Sequence, residues 1–196
     1  MSSPLPVPRS TLRRELRERR RALSGCAQHK AAHALALRLR RLPPLCRARH
    51  VALYWPNDGE IDPRLLQRYK PRHQHLYLPV LQAFPAQTLC FVRWSGTTRL
   101  ARNRFGIPEP RRGARRPARA MDVILLPLVG FDSRGNRLGM GGGFYDRTLA
   151  FTRRHAAKKP WLAGLAHACQ QVPALDAAPW DVPLQLIATD TGCLHP

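Results

Sequence analysis

The sequence predicts an α/β protein: one domain over residues 1–196, built on a doubly wound, mostly parallel sheet with helices on both faces in a three-layer, Rossmann-like arrangement. Three observations carry this reading. The 196 residues are 44% apolar, which is enough to bury one full core and short for two independent domains. Apolar runs rich in strand formers alternate with segments of helical spacing, the pattern of parallel strands joined by helical crossovers. A glycine-rich turn stands between the clearest strand and the helix after it.

Residues 9–23, RSTLRRELRERRRAL, predict a basic first helix with Leu12, Leu16 and Leu23 on one stripe and Ser10 as its cap. A second helix is expected over 27–41, where Ala31, Ala34, Leu35 and Leu42 keep the three-to-four spacing until Pro43-Pro44 stops it. HVALYWP, 50–56, reads as a buried strand. Asp62-Pro63 then opens a short helix, RLLQRYK, that ends by Pro71. Strands are expected at 75–80 and 88–94, followed by a long Gly/Pro/Arg-rich connection over 95–120. MDVILLPLVGF, 121–131, is the clearest strand. After the turn FDSRGNR, the segment GGGFYDRTLAFTRRHAA reads as a glycine loop entering a helix, and two more strands follow at 161–168 and 184–189.

Composition excludes several classes. Lys+Arg total 33 against 12 Asp+Glu, a formal net charge of +21, and nearly all the cations are Arg; Lys30, Lys70, Lys158 and Lys159 are the only lysines. So diffuse a surplus reflects compositional drift as much as function and names no partner. The five cysteines never form a Cys-x-x-Cys pair, which argues against a disulfide scaffold and a zinc ribbon and for reduced thiols in a cytosol. No run approaches the 18 or so apolar residues of a membrane span, and residues 1–21 lack a signal-type apolar region, so a soluble, cytoplasmic protein is expected. His29 and His33, four apart on a helix without a third ligand, read as a solvated face.

The chemistry concentrates at 126–149, where Gly139, Gly141, Gly142 and Gly143 lie between strand and helix. Glycines there let backbone N–H groups face an anion at a helix start. The same residues equally describe a sharp turn that only joins two elements. Phe144 breaks a G-x-G-x-x-G pattern, and no Lys-Ser or Lys-Thr follows to make a Walker A motif. Arg137 and Asp146 flank the loop as a cation for phosphate and an oxygen ligand for phosphate-bound Mg²⁺.

Four pieces in order, RSTLRRELRERRRALS (9–24), YWPNDGEID (54–62), FGIPEP (105–110) and LPLVGFDSRGNRLGMGGGFYDR (126–147), resemble the 5-formyltetrahydrofolate cyclo-ligase family, also called methenyltetrahydrofolate synthetases. The resemblance implies ATP- and Mg²⁺-dependent cyclisation of 5-formyltetrahydrofolate to 5,10-methenyltetrahydrofolate with release of ADP and phosphate. It assigns ATP to Arg9, Arg13 and the loop Arg137, Leu138, Gly139, Met140, Gly141, Gly142, Gly143, Phe144 and Tyr145. Folate falls to Tyr54, Trp55, Glu60 and Met140, and Mg²⁺ to Asp146; Arg137, Tyr145 and Asp146 form the catalytic set. Near the C-terminus the family commonly carries a second metal-linked Asp where this chain has Gln185, with Asp181 four residues earlier.

Two further classes compete. The basic helix would also suit an RNA- or DNA-binding module, although dispersed Arg without interleaved aromatics predicts only weak, salt-sensitive contact. A sugar-phosphate or coenzyme-A enzyme would fit the same fold and fails at the motifs. A monomer is expected.

Overall fold

The computed structural model describes residues 8–82, 87–153, 159–176 and 181–196. Helix α1, Arg9–Arg21, starts after Pro8 without a side-chain cap, so Ser10 lies inside it and caps nothing. Its buried positions are Leu16 and Arg20, with Leu12 packed against the same small core; Leu23, expected on the stripe, lies beyond the end of the helix, and Arg20 takes the inward position instead. Helix α2, Gly25–Leu39, is capped by Ser24, whose Oγ accepts from the Ala27 N–H, and buries Ala31, Leu35 and Leu39. Pro43 does not merely end it. It takes the first position of a further short helix, α3, Pro43–Arg47, where a missing N–H costs nothing, and after Asp62 a 3-10 turn, Pro63–Leu65, leads into the short helix α4, Leu66–Tyr69.

The main sheet has eight strands. Strand β1, His50–Ala52, pairs in parallel with β2, His75–Leu81, on one side and β7, Val123–Pro127, on the other. Parallel pairing continues from β7 to β10, Trp161–Leu165, and on to β11, Leu186–Ala188. Both edges are antiparallel: β3, Leu89–Trp94, and β6, Arg115–Arg116, beyond β2, and β12, Cys193–Leu194, beyond β11. The doubly wound, mostly parallel expectation holds, with hairpin edges that it did not contain.

Each sheet face carries its own core. One packs α2 and α3 on Val51, Leu53, Leu76, Val123 and Leu125. The other packs Ile124, Leu126, Leu162 and Ile187 under a helix α5, Phe144–Leu149, from which Leu149 is fully buried. Segment 95–120 is less irregular than its composition predicts, because Leu100–Arg102 (β4) and Pro108–Pro110 (β5) form a small antiparallel pair. The long strand expected over 121–131 breaks after Pro127, and Gly130–Phe131 (β8) pairs instead with Arg137–Leu138 (β9) as a separate hairpin. The helix expected to run to 157 ends at Leu149 in a 3-10 turn through Arg153; its last part lies outside the described residues.

Candidate active site

A cleft of about 920 Å³ opens at the carboxyl ends of the parallel strands. Tyr54 and Trp55 follow β1 into it, Leu126 and Pro127 end β7, and Pro79 and Leu81 end β2. The chain leaves β1 for β2 on one side and returns as β7 on the other, the switch point at which open α/β sheets receive ligands.

The β8–β9 hairpin delivers the glycine loop to the rim. Asp132, wholly buried in the turn, accepts from the N–H groups of Arg134 (3.0 Å), Asn136 (2.9 Å) and Leu175 (2.9 Å). Burial pushes its carboxyl up, but these bonds and the Asn136 side chain outweigh it and hold Asp132 below the usual carboxylate range. Beyond it, Gly141 and Gly143 take left-handed backbone conformations, φ +91° and +66°, that a β-carbon would strain. Arg13 Nε donates to the Gly139 carbonyl at 2.8 Å and Arg147 Nη2 to that of Gly142 at 2.7 Å. The loop is thus held by its carbonyls, while the N–H groups of Met140 to Gly143 donate to no other described residue. Partial burial and repulsion from Arg9 lower the Arg13 pKa, a clash of like charges that an anion between them would relieve.

Arg137 lines the cleft with its guanidinium already engaged. Its side chain is 7% exposed and donates to the Val182 carbonyl and the Asp146 carboxylate, so the residues assigned to phosphate and metal are paired with each other. Tyr145 is half-buried; burial and the neighbouring Glu60 carboxylate raise its pKa and keep the phenol neutral.

At the opposite end the turn Asn57–Glu60 carries two left-handed residues, Asp58 (φ +54°) and Gly59 (φ +75°). Asp58 gathers Arg17, Arg20 and Arg21 from α1. The Glu60 side chain is 10% exposed; burial pushes its carboxyl up to about 7 against the opposing pull of Arg20, which lies 3.8 Å away. Tyr54 donates its hydroxyl to the Ile61 carbonyl at 2.7 Å, and the Trp55 ring is covered by the Arg64 guanidinium at 4.1 Å.

A family model for the 5-formyltetrahydrofolate cyclo-ligase family matches residues 7–190. The chain belongs to this family. The 5-formyltetrahydrofolate cyclo-ligases of Haemophilus influenzae and Escherichia coli K12 are each 40% identical to it, over 90% and 89% of this chain and 94% and 96% of theirs. The NMR structure of Aquifex aeolicus 5,10-methenyltetrahydrofolate synthetase superposes with a TM-score of 0.80 at 30% identity, covering 95% of this chain and 92% of that one. A Mycoplasma pneumoniae synthetase structure shares the fold, with a TM-score of 0.73 at 24% identity.

The cyclo-ligase motifs converge in the fold. Arg9, Arg13, Tyr54, Trp55, Glu60, Arg137, Gly139, Met140, Gly141, Gly142, Gly143, Phe144, Tyr145 and Asp146 all line the one cleft. Leu138 does not. It is fully buried against Leu16 and Val129 and serves as an anchor, because the alternation of β9 turns it inward. Gln185 is also away from the cleft, its Oε1 accepting from the Leu162 N–H at 2.7 Å, whereas Asp181 lines the cleft 3.7 Å from Arg9.

Sequence reasoning missed Asn103, Phe105 and Arg147. Phe105 and Met140 are the exposed large hydrophobic side chains among the described residues, and both face this cleft. Phe105 meets Phe144 edge-to-face at 5.8 Å between centroids. An aromatic side chain in an Arg-rich connection was the available signal. Among the described residues no three His, Cys, Asp or Glu side chains gather to hold a metal alone. A single carboxylate, Asp146, fits Mg²⁺ that arrives with nucleotide phosphates, since that ion keeps waters and phosphate oxygens as its other ligands.

Proposed function

We propose that this chain is an ATP-dependent 5-formyltetrahydrofolate cyclo-ligase. The observation that carries the reading is the joining of two dissimilar halves in one cleft. At one end a glycine loop whose N–H groups donate to no other described residue stands beside Arg9 and Arg13; at the other, aromatic walls end on a buried acid, Glu60. Triphosphate suits the first end, which offers positive charge and amide donors. The pterin suits the second, since its ring N–H and amino groups would donate to the Glu60 carboxylate.

The formyl oxygen of an amide is a poor leaving group. Transfer of the ATP γ-phosphoryl onto it forms an iminium phosphate and releases ADP. N10 of the folate then attacks the activated carbon and loses its proton, and phosphate departs with the former formyl oxygen as the ring closes. Such transfer asks the protein mainly for alignment and charge compensation. Arg9 and Arg13 supply charge, the loop amides orient the phosphates, and Arg137 holds the Asp146 carboxylate in place. Asp146 would hold Mg²⁺, which neutralises phosphate charge when bound. Tyr145, kept neutral beside Glu60, would offer its hydroxyl as a hydrogen-bond donor to the substrate.

We further propose that the chain acts in the cytoplasm as a monomer, with nucleic acid held only weakly through phosphate contacts. ADP release should therefore require 5-formyltetrahydrofolate and Mg²⁺, and Glu60→Gln should raise the KM for folate far more than that for ATP. Nucleotide hydrolysis indifferent to folate, or equal losses for the two substrates, would overturn it.

A further inference from the structure

Glu60 stands on a turn whose backbone is left-handed at both central residues, one of them an aspartate rather than a glycine. Such a turn needs external support. Much of that support comes from one side chain. Arg20 of α1 is wholly buried, donating Nε to the Asp58 carbonyl at 2.7 Å, Nη2 to the Asp58 carboxylate at 2.9 Å and Nη1 to the Leu128 carbonyl just beyond β7 at 3.3 Å. Gly59 lies against it, since a β-carbon there would meet the Arg20 backbone at 3.3 Å and Cγ at 3.5 Å. The same helix holds the glycine loop two turns earlier through Arg13.

We propose that Arg20 is a positioning residue for the folate end of the cleft: it fixes the Asn57–Glu60 turn and, from 3.8 Å, favours the ionised Glu60 carboxylate. This rests on the reading of Glu60 as a folate contact. The groups facing Glu60 are Arg17 and Arg20 from α1, Asn57 and Asp58 from its own turn, Tyr54 after β1 and Tyr145 from α5. Among these described residues the two arginines are its cations. Burial has brought the Glu60 carboxyl close to neutrality, so loss of Arg20 would leave it protonated at the pH at which it must accept N–H groups.

The chain has four glutamates, Glu15, Glu18, Glu60 and Glu109, so a ¹³C-carboxyl titration of glutamate-labelled protein resolves each, and Glu60→Gln assigns the signal. Arg20→Gln should move the Glu60 midpoint up by about one unit. At pH 7 that lowers the ionised fraction about fivefold, raising the folate KM about fivefold with little change in the KM for ATP, and the difference should fade by pH 9. Arg20→Lys should restore the midpoint. Should Arg20→Gln fail to fold, the partly exposed Arg17→Gln carries the test, with a smaller shift in the same direction. An unmoved Glu60 midpoint with an unmoved pH profile of folate KM would overturn the proposal. A moved midpoint with folate KM unaffected even in Glu60→Gln would instead overturn the folate reading and leave the Arg20–Glu60 link standing.

Discussion

Replacing Glu60 by glutamine should make the protein more stable at pH 8 and leave it unchanged at pH 4.5. The carboxyl titrates at about 7 in the folded chain because burial penalises its charge beyond what Arg20 and the Asn57 N–H return; its ordinary value is 4.5. A carboxyl whose folded pKa lies above its unfolded value binds its proton more tightly when folded, so ionisation favours unfolding. The penalty is absent below the unfolded pKa, grows between 4.5 and about 7, and is constant above that. Two and a half units at about 1.4 kcal/mol each give about 3–4 kcal/mol. Glutamine keeps the size and one acceptor for the Asn57 N–H, now 3.1 Å from Oε2, so little packing is lost. In a chain of this length the gain amounts to about 7–14 °C in Tm at pH 8. Urea unfolding of both proteins at pH 4.5, 6 and 8 measures it. A stability difference that does not vary with pH, or a variant less stable at pH 8, would refute the reasoning.

Asp146→Asn should nearly abolish turnover and also cost about 1–3 kcal/mol of stability, because it removes the charge facing the buried Arg137 guanidinium; parallel denaturation and rate measurements check both, and unchanged stability contradicts the pairing. Gly143→Ala should destabilise by about 1–2 kcal/mol and raise the KM for ATP, since φ there is +66° and the new β-carbon would meet Arg147 Nη1 at 2.5 Å. Asp132, whose pKa is lowered, gives stability that is present above the unfolded carboxylate value near pH 4 and lost as pH falls through its lower folded value. Asp132→Asn should therefore flatten the acid limb of an unfolding profile below pH 4. Phe105→Ala should raise substrate KM with little loss of Tm, given that its ring is 52% exposed; a large Tm loss would make it a core residue.

Strand alternation and glycine placement made the sheet and the cleft loop legible in the sequence, whereas Arg9, Arg13, Tyr54, Trp55 and Glu60 were pointed to only by the family resemblance. The unforeseen features are tertiary. Local spacing does not say that the inward position of α1 belongs to Arg20, because a buried guanidinium is tolerable only where carbonyls and Asp58 from distant segments satisfy it. The Arg137–Asp146 pairing was hidden for the same reason: both residues flank the loop, and only the hairpin and α5 bring their side chains together. The resemblance assigns Leu138 to ATP with its neighbours, whereas its side chain in β9 packs into the core. Pro43-Pro44 reads as a stop because a proline disfavours helix in the residue before it, yet at a first helical position Pro43 begins one.

In the proposed reaction ATP activates the formyl oxygen itself. The direct measurement is the fate of ¹⁸O placed in the formyl group of 5-formyltetrahydrofolate and turned over with ATP and Mg²⁺, followed by mass analysis of the released phosphate. One ¹⁸O in each phosphate, formed in step with the methenyl product, is the predicted result. Methenyl product formed without ATP, or with the label released to water and the phosphate unlabelled, would contradict it.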